Sequence, residues 1–204
     1  MDRLSLFSTE ILVFRLPGVQ SLAQSLAALL VDERCTRPSW DVANVGGWHS
    51  PPDLSQRPDP FPAVMQLVVD HVGLALRSWC EEAGRPVPRF RYGVQAWSTV
   101  MEQGDYTILH DHGDAAFSAV FYADAGDAPD SAHLAFVDPR RATSRVAGLE
   151  LWPSTFTVRP ETGMLVLFPG ALQHYVHPYR GSRPRVCLSA NVSVEQVGPD
   201  ARAR

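Results

Sequence analysis

The sequence predicts a mainly β chain of α+β type, an antiparallel sandwich or jelly roll with N-terminal helices packed on its outside. Two observations point there. From Arg89 onward the chain breaks into short runs rich in Val, Phe, Tyr, Trp and Thr, separated by turn residues and with no further long helix. Before that point lie two stretches in which apolar residues recur at helical spacing. At 204 residues, 45% hydrophobic and 20% charged, the chain is long enough to bury a core as one domain. That domain is expected to span residues 1–195, with an N-terminal strand and helices over 1–88 and a core barrel over about 89–195.

Taken in order, Leu4 to Arg15 alternates weakly and reads as an opening strand closed by Pro17-Gly18. Leu22, Leu26, Leu29 and Leu30 then define one helical face between Val19 and Val31. Pro, Gly and Asp dominate Cys35 to Pro62, which reads as an unusually long loop containing Asn44-Val-Gly-Gly-Trp-His-Ser50. Long loops in compact domains are often lids or binding loops, so Asn44, Trp48 and His49 are candidates to cover a pocket; a surface connection with the tryptophan tucked into the core is the alternative. A second helix follows, with Val64, Leu67, Val68, Val72, Ala75, Leu76 and Trp79 on one stripe and Gly84 beyond its end. His71 lies near that stripe and reads as a core or boundary residue.

The predicted strands are Phe90 to Met101, Tyr106 to His110, Ala116 to Tyr122, His133 to Val137, Thr155 to Val158, Met164 to Phe168 and Arg185 to Val194. The tail, residues 196–204, is Gly, Pro, Asp, Ala and Arg and is expected to be flexible.

Composition excludes several functions. No apolar run reaches the roughly 18 residues needed to span a bilayer, and no basic-then-apolar leader opens the chain, so a cytoplasmic location without membrane association is expected. Formal charge is −4 and all 18 basic residues are arginine, scattered among carboxylates without a stripe or aromatic interleaving. That is not the footprint of a nucleic-acid binder, and the substrate expected is a small molecule or peptide. Cys35, Cys80 and Cys187 are odd in number and widely spaced, so they read as free thiols, mostly buried. Oligomeric state has no signature, and a homodimer is left open.

The chemistry concentrates in Leu109-His-Asp-His-Gly-Asp114 and in Phe168-Pro-Gly-Ala-Leu-Gln-His174. On a strand, residues i and i+2 share a face, so His110 and His112 project together, and Asp114 would join them if the strand continued. Two imidazoles bind a divalent first-row metal well, and a third ligand from a neighbouring strand completes one face of an octahedron. His174, after a buried-type strand and a turn, is the natural third. An isolated His-X-His is a weak signal; its combination with His174 and with Arg185 on a later buried-type strand is far stronger.

These motifs resemble those of the iron(II)/2-oxoglutarate-dependent oxygenases. Within them, the chain resembles a bacterial and phage family that reads His-X-His, Leu-Ser-Gly-Val-Tyr-Tyr, Phe-X-Asp-Pro-Arg, Leu-Phe-Pro-X-X-Leu-X-His-X-Val and Arg-X-Ser-X-Ser-X-Asn. The chain has His110-Asp-His112, Phe117-Ser-Ala-Val-Phe-Tyr122, Phe136-Val-Asp138-Pro-Arg140, Leu167-Phe-Pro-Gly-Ala-Leu-Gln-His174-Tyr-Val176 and Arg185-Val-Cys-Leu-Ser189-Ala-Asn191. Leu6-Phe-Ser-Thr and the Asn44 to Ser50 run also match, so the similarity covers nearly the whole chain.

The resemblance implies a double-stranded β-helix, cupin-like, with iron(II) at its open end and 2-oxoglutarate as co-substrate. Arg185 would meet the far carboxylate, since its planar fork matches a carboxylate and never loses its charge. Cys187 and Ser189 would line the same site. Two ligand sets compete: His110, His112 and His174, favoured by the spacing to Phe117-Ser118, or His112, Asp114 and His174. Departures from the pattern are Ala115 for Ser, Ala119 for Gly, and Cys187 for a Ser whose hydroxyl could touch the co-substrate. Asp138 would bind substrate or supply the carboxylate missing from the usual two-histidine triad; forming a turn before Pro139 is the alternative.

The activity implied is a dioxygenase that oxidises a small molecule, amino acid or peptide, by default through hydroxylation, with dioxygen consumed and succinate and CO2 released. A metal-dependent cupin without 2-oxoglutarate is the competing enzyme class, since Gly104, His110-X-His112, Gly163, Pro169 and His174 resemble the two cupin motifs. It lacks the cupin glutamate and leaves Arg185 without a task. A non-catalytic jelly-roll binding module is the third reading.

Overall fold

A computed structural model of the chain describes residues 8–140 and 154–197. Eleven strands are described: β1 Leu12–Arg15, β2 Asn44–Val45, β3 Trp48–His49, β4 Arg89–Met101, β5 Tyr106–His110, β6 Phe117–Asp124, β7 Leu134–Val137, β8 Thr155–Val158, β9 Met164–Pro169, β10 His174–Val176 and β11 Arg185–Val197. Two helices precede the main strands, α1 at Gln20–Thr36 and α2 at Phe61–Glu82. The strands form two antiparallel sheets, ordered β1-β9-β6-β11-β4-β3 and β2-β5-β10-β7-β8, the jelly-roll arrangement expected from the sequence.

Two separate cores follow from strand alternation. On β11, Val186, Leu188, Ala190 and Val192 are buried on one face and pack with Ala23, Leu26 and Leu30 of α1 and Val64, Val68 and Val72 of α2. On β9, Leu165 and Leu167 face the same helices, whereas Met164, Val166 and Phe168 face inward and join Tyr122, Leu134, Phe136 and Cys187. A strand buried on both faces must be apolar throughout or carry polar groups with a purpose on one face. β11 does the second: Arg185, Cys187, Ser189 and Asn191 form its inner row, and all four line the same cavity.

α2 begins with Pro62 in its first turn, where the missing N–H costs nothing, and ends at Gly84, whose φ of +63° suits a left-handed cap. Trp79 of that helix stacks on Phe117 with ring centroids 5.7 Å apart, fixing helix against sheet. No helix among the described residues is long and apolar enough to cross a membrane.

Several expectations need correction. Within the described residues the opening strand is confined to Leu12–Arg15, where it pairs with β9; the remainder of its expected start, residues 4–7, lies outside them. The 35–62 segment is not a free loop, because β2 pairs with β5 and β3 with β4, and α1 extends to Thr36. At the C-terminus, Gln196 and Val197 pair with Phe90 and Arg89 and so belong to β11; residues 198–204 lie outside the described residues. Only Cys187 of the three free cysteines is buried, since Cys35 is exposed and Cys80 half-buried on the helices.

Trp48 takes the second of its two expected places, the core, and not the pocket. Residues 48 and 49 point to opposite faces of β3, so burying His49 toward the cavity sends the indole to the helix side. There it is 4% exposed, and its Nε1 donates to the Arg37 carbonyl at 3.0 Å. It is a core residue and does not line the cavity. Trp48→Ala is therefore expected to cost about 3–5 kcal/mol of stability in a urea titration, the usual loss for a buried aromatic; a change below about 1 kcal/mol would contradict this placement.

Candidate metal centre and its cavity

Three histidines meet at one end of the space between the sheets. β5 ends at His110, which pairs directly with His174 at the head of β10, so two of the rings are adjacent by register. Their centroids are 4.3 Å apart, and His112 stands 5.1 Å from His110 and 5.0 Å from His174. One nitrogen of each ring lies within 4.8 Å of the others.

Local chain geometry produces this meeting. The chain turns at Gly113-Asp114, Gly113 having a φ of +54°, and the His112 amide donates to the Gly170 carbonyl at 2.8 Å. A Cβ at Gly170 would overlap the backbone of Ala115, so the Phe-Pro-Gly turn needs glycine there for the two ligand segments to touch.

The same turn separates Asp114 from the histidines. Because the strand stops at His110, the alternation that would have carried Asp114 inward is broken, and Asp114 is exposed on the turn. The group that the structure assembles is His110, His112 and His174, without Asp114.

The rings are prepared as neutral donors. Nδ1 of His110 lies 2.8 Å from the Ile108 carbonyl, and Nδ1 of His174 lies 2.8 Å from that of Leu172. A carbonyl can only accept, so Nδ1 carries the proton in both rings and Nε2 keeps its lone pair. Burial, with His110 nearby as a further cause, pushes His112 down to about 4 and His174 down to about 3. Neither has to lose a proton before holding a divalent ion at neutral pH.

The cavity has a volume of about 330 Å³ and runs from the histidines to Arg185. Arg185 is 2% exposed, with its guanidinium 5.1 Å from the Tyr122 ring centroid and one terminal nitrogen 3.3 Å from the Met101 sulfur. Its Nε has no hydrogen-bond partner, and no carboxylate of the described residues pairs with it. The Tyr122 hydroxyl is also buried and unpartnered. Burial pushes the Tyr122 phenol up and the Cys187 thiol up, so both stay protonated. Ser189 is half-buried two residues along the same row.

Buried unpaired charge is costly by several kcal/mol, and an orphaned hydroxyl adds to it. A carboxylate reaching this end from a metal-bound ligand would satisfy both, so the residues fit iron(II) and 2-oxoglutarate.

The remaining candidates are placed as follows. Asn44 lines the cavity, but its side chain is engaged in its own turn with Asp41, Val42 and Gly46. His49 lines the cavity, 8% exposed. Asp138 lies in a different depression beside Phe156 and Leu172, where Arg140 donates to it through backbone and guanidinium and holds its carboxyl below the usual range. The structure thus keeps Asp138 away from the histidine cavity, because β7 delivers Phe136 inward and turns Asp138 outward past its end. Tyr122 was not among the expected site residues; its signal was alternation with Ser118 and Val120 on β6, which puts it on the inner face.

Comparison with known proteins agrees with this geometry. The model of a family described as "Putative 2OG-Fe(II) oxygenase" matches residues 95–191. Among solved structures, a prolyl-4-hydroxylase from Pseudomonas putida is 18% identical, with 95% of this chain and 96% of that one covered and a TM-score of 0.60. HygX from Streptomyces hygroscopicus, solved with nickel, 2-oxoglutarate and hygromycin B, is 14% identical over 91% and 83% of the two chains at a TM-score of 0.56. A prolyl hydroxylase from Trichoplax adhaerens, in complex with a hypoxia inducible factor peptide fragment, is 14% identical over 92% and 84% at a TM-score of 0.60. No curated protein sequence matches significantly.

Residues 95–191 thus resemble the 2OG-Fe(II) oxygenase family, the fold is the one these structures share, and the three-histidine group lies within the matched stretch.

The lowered histidine values have a consequence for the metal-free protein. Unfolded, these rings titrate near 6.5; folded, they resist protonation until about 4 and about 3. Between those limits the unfolded chain binds more protons, so stability is full above pH ~6.5 and falls as pH drops toward 4. Melting of metal-free protein should show this decline, and a His112→Gln/His174→Gln variant should flatten it. An equal decline in that variant would assign the effect to other groups.

Proposed function

We propose that the chain oxidises an amino-acid, peptide or other small-molecule substrate, by hydroxylation in the simplest case, with 2-oxoglutarate and dioxygen converted to succinate and CO2. The observation that carries this reading is Arg185, a guanidinium sealed into the histidine cavity without a counter-ion among the described residues. It favours a 2-oxoglutarate enzyme over a cupin that needs no keto acid, in which that charge would have no partner to offset its burial.

In this reading His110, His112 and His174 would hold iron(II), His110 and His174 through Nε2, because the carbonyls of Ile108 and Leu172 take the Nδ1 protons and orient those two rings. Arg185 binds the far carboxylate of 2-oxoglutarate through a charge-assisted pair, and the Tyr122 hydroxyl donates a second hydrogen bond. Cys187 and Ser189 complete the wall beside it. Iron(II) chelated by the keto acid supplies the means to split dioxygen between succinate and product. Phe168, Leu134 and Val176 keep the inner cavity apolar, which strengthens the pairing at Arg185 by excluding water.

Anaerobic addition of iron(II) and 2-oxoglutarate is expected to give the visible charge-transfer band of a chelated keto acid, without any substrate. His174→Ala should abolish iron binding. Arg185→Ala should retain iron but weaken 2-oxoglutarate by roughly two orders of magnitude, the cost of removing one partner of a buried charged pair. Tyr122→Phe should weaken it by about five- to tenfold. Full iron occupancy in His174→Ala, or an unaltered 2-oxoglutarate affinity in Arg185→Ala, would refute the assignment.

A further inference from the structure

The inner row of β11 is longer than the co-substrate needs. In register, Arg185 faces Met101, Cys187 faces Thr99 and Tyr122, Ser189 faces Trp97 and Val120, and Asn191 faces Gln95 and Ser118. From Arg185 to Asn191 is six residues, about 20 Å of strand, and a five-carbon diacid spans less than half of it. The Trp97 ring lies 5.3 Å from His112, which sets the metal group over the third step of this ladder. The fourth step lies beyond it, at the opposite end from Arg185.

That outer end has a distinct chemistry. Ser118 donates its hydroxyl proton to Asn191 Oδ1 at 3.0 Å, which leaves the Asn191 amide NH2 as an unpartnered donor in the cavity lining. Gln95 is exposed beside it, with neither end of its carboxamide engaged. Trp97 stacks on His49 at 6.0 Å and 15°, forming a flat wall. The Nδ1 of His49 is 2.6 Å from the Ser50 carbonyl, so its Nε2 is an acceptor. Trp40 and Val42 extend the apolar rim and are 55% and 67% exposed. Besides the histidines, the only lining groups of fixed charge among the described residues are Arg185, deep inside, and Asp111, exposed at the rim.

We propose that the outer end of the cavity is a substrate subsite for an uncharged carboxamide or peptide-amide group on an apolar body, read by Asn191 and Gln95 and walled by Trp97 and His49. The inference rests on the inner end being the iron and 2-oxoglutarate site. An amide carbonyl accepts from the Asn191 NH2, and an amide N–H donates to the Gln95 carbonyl or to His49. A carboxylate or ammonium group would be desolvated here against neutral partners and is disfavoured. At about 330 Å³, with the co-substrate inside, the cavity admits a side-chain-sized group while the rest of the substrate lies along Trp40 and Val42.

Three probes of matched shape test this: butyramide, butyrate and butylammonium, added to the full chain loaded anaerobically with iron(II) and saturating 2-oxoglutarate. Binding is read as paramagnetic broadening of the probe's methyl resonance, which requires no turnover. Butyramide alone is expected to broaden. Gln95→Leu, at an exposed strand position, and Asn191→Ala should each weaken it by about five- to tenfold. Asn191→Asp should move the preference to butylammonium, a reversal that general destabilisation would not produce. Butyrate or butylammonium broadening as strongly as butyramide in the unaltered protein, no broadening of butyramide, or indifference to Gln95→Leu would overturn the proposal. Absence of the charge-transfer band under the same conditions would instead remove the iron and 2-oxoglutarate reading beneath it.

Discussion

A guanidinium enclosed between two sheets, with no carboxylate of the described residues to meet it, is the constraint around which the rest of this molecule is arranged. Arg185 is 2% exposed and rests against a tyrosine ring and a methionine sulfur. Such a charge is tolerable only if the fold is stabilised elsewhere and if an anion arrives to offset it. Elsewhere, here, is the outer face of the same strands, where Val186, Leu188, Ala190 and Val192 bury themselves under two helices. The helices therefore support a polar interior row that could not stabilise itself.

Strand alternation joins stability to chemistry throughout. β11, β6 and β9 each present an apolar face to the helices and a second face to the cavity, so consecutive residues serve different ends. Leu188 packs under the helices while Cys187 and Ser189 line the site; Phe121 packs while Tyr122 places its hydroxyl beside the guanidinium. β3 repeats the division in two residues, sending Trp48 to the core and His49 to the cavity. The histidine cluster adds a different device. A strand ends, a Gly113 turn follows, and the Gly170 turn comes close enough to bond the His112 amide. Two segments far apart in sequence then hold three rings within reach of one ion.

Much of this was legible in the linear chain, and for stated reasons. Short β-type runs bounded by turn residues located Tyr106–His110 and Thr155–Val158 to the residue and β4, β6, β7, β9 and β11 to within a few positions, whereas β1 was expected to begin at Leu4 and β2, β3 and β10 were not among the expected strands. The i, i+2 rule put His110 and His112 on one face, and pattern resemblance pointed to Arg185, Cys187 and Ser189 as lining one site with them. Asp114, Trp48 and Asp138 were harder. Each depends on where a strand stops or which face it turns inward, and a one-residue difference reverses the side chain. Tyr122 went unremarked because a tyrosine in an apolar strand looks like core until its hydroxyl is found without a partner.

By itself, then, the sequence determined the mainly β architecture, the two amphipathic helices and the identity of the metal-binding residue types, because periodicity and turn chemistry are local properties of the chain. Tertiary structure alone decided that His110, His112 and His174 come together while Asp114 stays exposed on the turn, that Trp48 belongs to the core while His49 faces the cavity, and that the Arg185 Nε and the Tyr122 hydroxyl are buried without hydrogen-bond partners among the described residues. Those outcomes are set by strand register and by contact between distant turns, and neither is encoded in the spacing of residues along one segment.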